Sequence, residues 1–491
     1  MEQDYNKLFV GGDLSGIQKF LYNISSKKAA VSLKGRSDYL KEYMKEVYSE
    51  LKDSIESVGG MNNRLYDSGG KFYLITTNSE AVRFAIDSCA KSIQEKLWQE
   101  HMGELGICIS YVPFKENPDG SIDAKELKNQ KPDVLWKIIN AQFHRQKNRK
   151  FKDMLLNDFD IFFNPIAVGG QTRVCAVTGI ESPDCISYEN MFVLQYVKDQ
   201  IENGKKLMHE DHFKEFGGYA GNTNLGVLRM DVDSLGNRFS VGFKSFDDYK
   251  EFSDRLVDFF ENETGKIQQE EEFFDYLNII YAGGDDLFVV GRWDKVADFA
   301  ERIHKEVDAR FSKDGITISG GMVIVNPKFP IAKAAKLAGN AEDAAKQFRN
   351  GEKNAFCLFG KTVSWNEEFE IVKYYRDKFV TLINNDKYGL SKSILHKIML
   401  YSSIADQNIV RRKEGKPENY SYIWHVSYYL TRYMTRFKTN DGNNEVYKFC
   451  RHLRDQEINY RNIRKLELIA LAARWAELLL KDKEGNNTKY L

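Results

Sequence analysis

Proline and cysteine are scarce in this sequence, and net charge is missing altogether. Eight prolines in 491 residues leave no Pro-rich linker or low-complexity arm. Six cysteines, at 89, 108, 175, 185, 357 and 450, are too few and too scattered for a disulfide scaffold and suit a reducing cytoplasm. Lys and Arg number 71, and Asp and Glu also number 71. That balance excludes a uniformly basic coat, so any contact with nucleic acid has to come from local patches. No run approaches the roughly 18 apolar residues of a membrane span, and residues 1–13 show no basic-then-apolar leader. What is present is apolar material for cores: 42% of residues are hydrophobic and 29% charged, which excludes a disordered chain. At roughly 100–200 residues per domain, the length predicts three or four domains. The expectation is a soluble, cytoplasmic, multidomain α/β chain with no membrane partner.

Periodicity gives a coarse map. Lys7–Val10 reads as a strand, with helical patterns near Ile17 and from Tyr39 to about Leu51. Arg64–Thr77 reads as a hairpin turning on Gly69 and Gly70. A helix near Glu80–Trp98 and a strand near Gly106–Val112 follow. Residues 116–216 are irregular. The pattern then restarts with a strand ending at Asp231, a helix start near Ser245 and a hairpin from Asn278 to Val290. An amphipathic helix comes next, with Val296, Phe299, Ile303 and Val307 on one face, and then a strand over Ile316–Val325. After about 363 the chain reads as helices.

The two α/β stretches repeat each other. Gly12-Asp13-Leu-Ser-Gly parallels Met230-Asp231-Val-Asp-Ser, and Tyr66 to Ile75 parallels Tyr281 to Val290, with Gly69-Gly70 set against Gly283-Gly284. Two copies of a β-α-α-β-β-α-β unit predict an α+β chain with two ferredoxin-like palm domains. The boundaries are expected at 1–115 (first palm), 116–216 (a small intervening domain), 217–362 (second palm) and 363–491 (a C-terminal helical domain). Matching glycine to glycine sets Lys71 and Phe72 against Asp285 and Asp286, so one copy looks catalytic and the other degenerate.

Phosphoryl transfer needs positive charge at the triphosphate and at the attacking hydroxyl, commonly from two Mg²⁺ ions about 4 Å apart on carboxylates of adjacent strands. A strand ending in Asp231 beside a hairpin tipped by Asp285 and Asp286 predicts such a site, with Mg²⁺ or Mn²⁺ on those three acids. Gly283 and Gly284 permit a tight turn and close backbone approach to a nucleotide.

Leu228 to Gly236 together with Tyr281 to Leu287 resembles the palm polymerase in the large subunit of type III CRISPR effector complexes. Gly11 to Phe20 and Lys34-Gly35-Arg36-Ser37 resemble that subunit's first palm. Ser319-Gly320-Gly321 and Phe329-Pro330 are similar to its second palm, and the likeness is to the III-A (Csm-type) branch. The resemblance implies an RNA-activated nucleotidyltransferase. It would join ATP 3′–5′ into cyclic oligoadenylate, or a related AMP-containing second messenger, for antiviral defence. Asp231, Asp285 and Asp286 would hold the metals. Nucleotide would meet Gly283, Gly284, Asp233, Ser319 and Gly320 in one palm, and Gly35, Arg36, Ser37, Gly69, Gly70 and Lys71 in the other. Lys346 or Lys353 would meet phosphate. Asp67 would bind an acceptor amine or ribose, or cap its turn. Guide RNA, target RNA and neighbouring Cas subunits are the implied partners.

The sequence also departs from that pattern. Many members begin with a metal-dependent HD nuclease, whereas here palm-like sequence begins within a dozen residues and no His-Asp dipeptide occurs. The expectation is that single-strand DNase activity is absent. Cys175-Ala-Val-Thr178 has Thr where a zinc knuckle needs its second Cys, and Cys185 stands alone, with His209 and His212 further on, so zinc is not expected. The basic run His144–Lys152 reads as a solvated face or a contact for RNA phosphates. Tyr429–Lys438, which mixes rings with cations, reads as helical packing or an RNA contact. The alternatives are a GGDEF-like dinucleotide cyclase outside CRISPR and a catalytically silent guide-RNA scaffold.

Overall fold

A computed structural model describes residues 5–24, 29–116, 132–157, 159–162, 173–182, 184–189, 191–203, 224–235, 246–384, 389–437, 444–458 and 463–487. The first unit runs β1 (Lys7–Ser15), α1 (Ile17–Tyr22), α2 (Ala29–Ser57), β2 (Asn63–Ser68), β3 (Lys71–Thr77), α3 (Glu80–His101) and β4 (Gly106–Phe114). Its strands form an antiparallel sheet in the order β2-β3-β1-β4. Helix α3 starts where Ser79 Oγ accepts from Val82 N at 3.2 Å. Its stripe Val82, Ile86, Cys89, Ile93 and Leu97 packs with α2 against Leu8, Val10, Phe72 and Leu74 of the sheet. The opposite sheet face, through Phe9, Tyr73 and Ile75, is covered by α4 (Pro132–Lys147), which lies beyond residue 115 and supplies Trp136, Ile139 and Phe143. Burial of both faces explains why consecutive residues of β1 are apolar rather than alternating.

After α5 (Lys152–Asn157) come two ribbons, β5 (Arg173–Val174) with β6 (Glu181–Ser182), and β7 (Ile186–Tyr188) with β8 (Met191–Val193), then α6 (Gln195–Glu202). The second unit contains β9 (Leu225–Val232), α7 (Phe246–Asp258), α8 (Thr264–Gln268), β10 (Leu277–Gly283), β11 (Asp286–Arg292), α9 (Trp293–Phe311) and β12 (Ile318–Val325). It continues with α10 (Ile331–Lys346), β13 (Ala355–Leu358) and β14 (Lys361–Ser364). The sheet order β10-β11-β9-β12-β13-β14 repeats the first sheet in its first four strands. Helices α11 (Glu370–Asn384), α12 (Ser393–Lys413), α13 (Ser421–Thr435), α14 (Glu445–His452) and α15 (Ile463–Asn487) follow. They share one continuous core with the second sheet, from Leu228 and Phe356 through Trp365 and Phe369 to Trp475. None of the described helices is long and apolar enough to cross a membrane.

The strand register agrees with the match of Tyr66–Ile75 to Tyr281–Val290 and corrects the glycine-to-glycine match by one residue. Asp13 pairs with Lys71, and Asp231 pairs with Asp286. Leu14 N donates to Gly70 O at 2.9 Å, as Val232 N does to Asp285 O at 3.1 Å. Lys71 therefore stands where the second unit has Asp286, and Gly70 where it has Asp285. The glycine match fails because Gly69 and Gly70 form the first turn, both at positive φ, whereas Gly283 closes the second ladder and Gly284-Asp285 makes the turn. A one-residue slip reverses which face a side chain occupies. Buried Phe72 accordingly matches buried Leu287 and not an acid.

The repeat also extends further than the strands. Helices α4 and α10 both cover β1 or β9 and its neighbour and are each 16 residues long. Each ends in a lysine paired with the acid of its central strand: Lys147 Nζ lies 2.7 Å from Asp13 Oδ2, and Lys346 Nζ bonds Asp231 Oδ2. Part of the basic run 144–152 is thus committed to the fold, with Lys150 Nζ donating to Gly103 O at 3.3 Å.

Candidate active site

Strands β9 and β11 bring Asp231 and Asp286 side by side. The third acid comes from α10. A Cβ on Gly321 would sit 2.1 Å from Glu342 N, so only glycine lets this helix lie so close on β12. Glu342 and Lys346, four residues apart, then face the strand acids. Carboxylate oxygens of Asp231, Asp286 and Glu342 lie within 4.8 Å of one another. Lys346 Nζ donates to Asp231 and, at 2.8 Å, to Glu342 Oε1, and Arg229 Nε lies 3.4 Å from Glu342 Oε2.

Burial and mutual repulsion govern the charges. Burial, then Asp286, push Asp231 up to about 7 against the pull of Lys346. Burial and Asp285 push Asp286 up to about 6. Burial and Asp231 push Asp285 up to about 6, opposed by Lys71 and Lys346. Burial disfavours the charge on Lys346, but Asp231 and Glu342 outweigh it and hold the ammonium above its ordinary value. An oxygen-only cluster with surplus negative charge fits a hard divalent cation such as Mg²⁺. Glu342 joins this group where the sequence pointed to Asp285. Asp285 lies beside it on the turn and lines the same cavity of about 870 Å³, which Gln18, Lys19 and Tyr22 of α1 close from the other palm.

The remaining candidates divide by position. Gly69, Gly283 and Gly284 sit where the two hairpin tips touch, a Cβ on Gly69 coming 3.4 Å from Gly284 Cα. Gly284 N donates to Ser68 Oγ at 2.8 Å, and Lys41 Nζ to Ala282 O at 2.5 Å, across the same seam. Gly70 backs onto Ile17, and Lys71 is exposed and lies within electrostatic reach of Asp285. Asp67 lies 3.9 Å from Arg64, and burial raises its pKa. Ser37 is buried and lines a smaller cavity of about 180 Å³ with Gly69, Tyr281 and Asp286.

Gly35 and Arg36 lie elsewhere. A Cβ on Gly35 would meet Val177 O at 2.7 Å, and Arg36 donates to Thr178 O at 3.1 Å and Phe20 O at 2.6 Å. These two residues clamp α2 to the intervening segment. Asp233 and Ser319 are internal too. Asp233 Oδ2 accepts from Thr317 Oγ1 at 2.8 Å, Ser319 Oγ at 2.9 Å and Asn354 N at 3.0 Å. Gly320 packs against Met230 and Phe356. Asp233 thereby anchors the loop after α10, in which Arg349, Asn350, Lys353 and Asn354 all have positive φ, a cluster of strained backbone. Lys353 Nζ donates to Ser234 Oγ at 2.8 Å. The i,i+4 spacing of Glu342 and Lys346 and the i,i+2 spacing of Arg229 and Asp231 were the available signals for the residues that sequence reasoning missed.

Cys175 and Cys185 are buried with Val177 and Val193 in a small apolar core, and Thr178 N donates to Cys175 Sγ at 3.5 Å. His209 and His212 lie outside the described residues.

The buried acids should cost the metal-free fold stability. Asp286 titrates near 6 when folded against an ordinary 3.8, so above pH 6 folding holds an ion that its surroundings disfavour. Asp286→Asn is expected to raise the thermal midpoint in chelator by a few degrees, on the order of 1–2 kcal/mol. The gain should be full above the folded value, shrink as pH falls through it, and vanish below the unfolded value. Calorimetry across that pH range checks this. A lower midpoint, or a gain independent of pH, contradicts it.

Fold and site together define a tandem-palm protein in which, among the described residues, the carboxylate cluster lies in the second palm. The family description "Cas10/Cmr2, second palm domain" matches residues 224–357, and "Csm1 subunit domain B" matches residues 6–165. A relative from Enterococcus italicus, named CRISPR system single-strand-specific deoxyribonuclease Cas10/Csm1 (subtype III-A), is 28% identical over 82% of this chain and 61% of its own length. The Mycobacterium tuberculosis protein of the same name is 25% identical over 82% of this chain and 60% of its own. A ligand-free Csm1-Csm4 cassette superposes over 98% of this chain and 70% of its own, with a TM-score of 0.69 at 17% identity. A Csm1-Csm4 cassette in complex with cA4 covers 97% of this chain and 70% of its own, with a TM-score of 0.67 at 18% identity. The chain is similar to the Cas10/Csm1 proteins of subtype III-A over about four fifths of its length, and it spans about 60% of the length of these curated relatives.

Proposed function

We propose that this chain is the nucleotidyltransferase subunit of a type III-A CRISPR effector complex, joining ATP into cyclic oligoadenylate or a related AMP-containing messenger when target RNA pairs with the guide. The observation that carries the reading is asymmetry. Two palms meet hairpin to hairpin, and only one holds three carboxylates at its tip. Support also comes from the neighbouring structures, described as Csm1-Csm4 cassettes with cA4, with cA3 and with one ATP. Guide RNA, target RNA, a Csm4-like neighbour and a cytoplasmic setting belong to the same reading.

In this reading a 3′-hydroxyl attacks the α-phosphorus of a second ATP, the bond to the β,γ-phosphates breaks, and pyrophosphate leaves with the displaced charge. Asp231, Asp286 and Glu342, with Asp285 adjacent, would hold a divalent cation, which would supply charge neutralisation for that chemistry. Lys346 neutralises Asp231 and Glu342 in the free protein; once those oxygens are otherwise engaged, its ammonium turns to the triphosphate. Lys353 sits on the loop anchored by Asp233 and donates to Ser234, three residues past Asp231. Lys71, in the place of the second palm's Asp286, brings a positive charge toward Asp285 and toward the phosphates of a bound nucleotide. Tyr22, Ser37 and Tyr281 line the smaller cavity.

The test is nucleotide consumption by the complex with target RNA. Use of ATP with little use of GTP supports the reading; preferential use of GTP favours a GGDEF-like cyclase; no turnover of either leaves only a scaffold. Deoxyribonuclease activity is outside this proposal, because the sequence contains no His-Asp dipeptide. The purified chain is expected to leave labelled single-stranded DNA intact in Mn²⁺, and metal-dependent cleavage that survives repurification would contradict this.

A further inference from the structure

The helical segment has a cleft of its own, of about 580 Å³, between α12 and α13. Among the described residues its charge is of one sign. Among the described residues, Lys397, His425, Arg432 and Arg436 line it, the lining includes no carboxylate, and none of the four pairs with an acid. In a chain with equal numbers of acids and bases, such a local excess is the kind of patch through which a polyanion would bind. The walls are rings. Tyr401 stacks on His425 with an interplanar angle of 5°, and Tyr429, Tyr433 and Phe437 run on from ring to ring at 5.9 and 5.3 Å.

The rim continues the pattern outward. Trp424, Tyr428 and Arg432 fall four apart on α13, about 6 Å per step along the helix, and form one exposed stripe. Trp424 is 59% exposed and Tyr428 62%, and the other five tryptophans are not exposed. The Arg432 guanidinium sits 5.7 Å from the centre of the Tyr428 ring. Packing accounts for Tyr422, Val426, Leu430 and Tyr433 on the buried face but not for the stripe.

We propose that this cleft and stripe bind a single-stranded nucleic acid, its phosphates on Arg432, Arg436 and Lys397 and its bases stacked on Trp424 and Tyr428. Unpaired cations interleaved with exposed rings suit a strand whose bases are free to stack, and the described lining holds no carboxylate or amide array to read a sequence. The cleft lies outside the palm site and takes no part in the nucleotidyl reading, so the failure of either leaves the other standing.

The experiment is fluorescence anisotropy of the full chain with short labelled oligouridylate and, in a second arm, oligodeoxythymidylate, across a salt series. Trp424→Ala with Tyr428→Ala is expected to weaken binding at least about 10-fold, while Tyr428→Phe keeps it. Arg432→Ala and Arg436→Ala are each expected to lower the salt slope by about 0.7. Arg412→Ala, an exposed arginine paired with Glu418, serves as the charge control and should change neither. Tighter binding of the ribo- or the deoxyribo-oligomer identifies which strand the cleft serves, and either supports the site. Wild-type protein that fails to bind, ring variants that bind as tightly as wild type, or polyglutamate that displaces the oligomer as well as unlabelled oligomer does, would each overturn it. The last outcome would point to an acidic protein surface.

Discussion

Asp286→Asn is expected to lower nucleotide turnover at least about 100-fold in the assembled complex, roughly 2.7 kcal/mol of transition-state stabilisation. Asparagine keeps the shape of the side chain at the head of β11 but removes the charge that completes the cluster with Asp231 and Glu342. The loss should fall mainly on kcat, because a cation held there acts on charge that develops as the hydroxyl attacks. Glu342→Gln is expected to track it, and in both variants the affinity for Mn²⁺, read by titration without nucleotide, should drop. Lys71→Ala should instead raise KM for ATP more than it lowers kcat, since Lys71 belongs to the palm without the acids. Assembly with guide RNA should be unchanged. Unaltered product formation by Asp286→Asn would mean that the reacting centre lies elsewhere.

Gly321→Val is expected to destabilise the second palm by about 3 kcal/mol or more and to abolish cation binding with it. The added carbon would collide with backbone, at 2.1 Å from Glu342 N and 2.3 Å from Ala341 C, and backbone cannot swing aside as a side chain can. Helix α10 would have to lift from β12. Ala334, Ala335 and Ala338, small and fully buried, would lose their contacts with the sheet, and Glu342 and Lys346 would leave Asp231. Gly265 in α8 provides the contrast: a Cβ there meets nothing, and Gly265→Ala should be neutral or stabilising by up to about 1 kcal/mol. Unfolding by urea compares the two. Equal stability of Gly321→Val and wild type would show that α10 does not depend on that contact.

The doubled sheet was legible in the sequence because its markers are local: a strand ending in Asp, a Gly-Gly hairpin about 50 residues on, and periodic helices between them. The register within the hairpin was not. Two glycines in each copy invited a direct match that competes with the match of Tyr66 to Tyr281, and the hydrogen-bonded ladder sides with the tyrosines: the turn takes both glycines in one copy and a glycine with an aspartate in the other. Glu342 was hidden for a different reason, since an acid in a helix becomes a candidate ligand only once that helix is known to cross the sheet at Gly321. Gly35 and Arg36 lie apart from the acid cluster. They look like site residues in a motif, but their partners, Val177 and Thr178, are more than 140 positions away and form a structural seam.

The most direct test of the central claim is a mass spectrum of what the complex makes from ATP and Mg²⁺ with and without target RNA. A product built from AMP units and joined 3′–5′, formed with target RNA and missing from the Asp286→Asn complex, is the expected result. Intact ATP in every sample, or the same product from the Asp286→Asn complex, would contradict it.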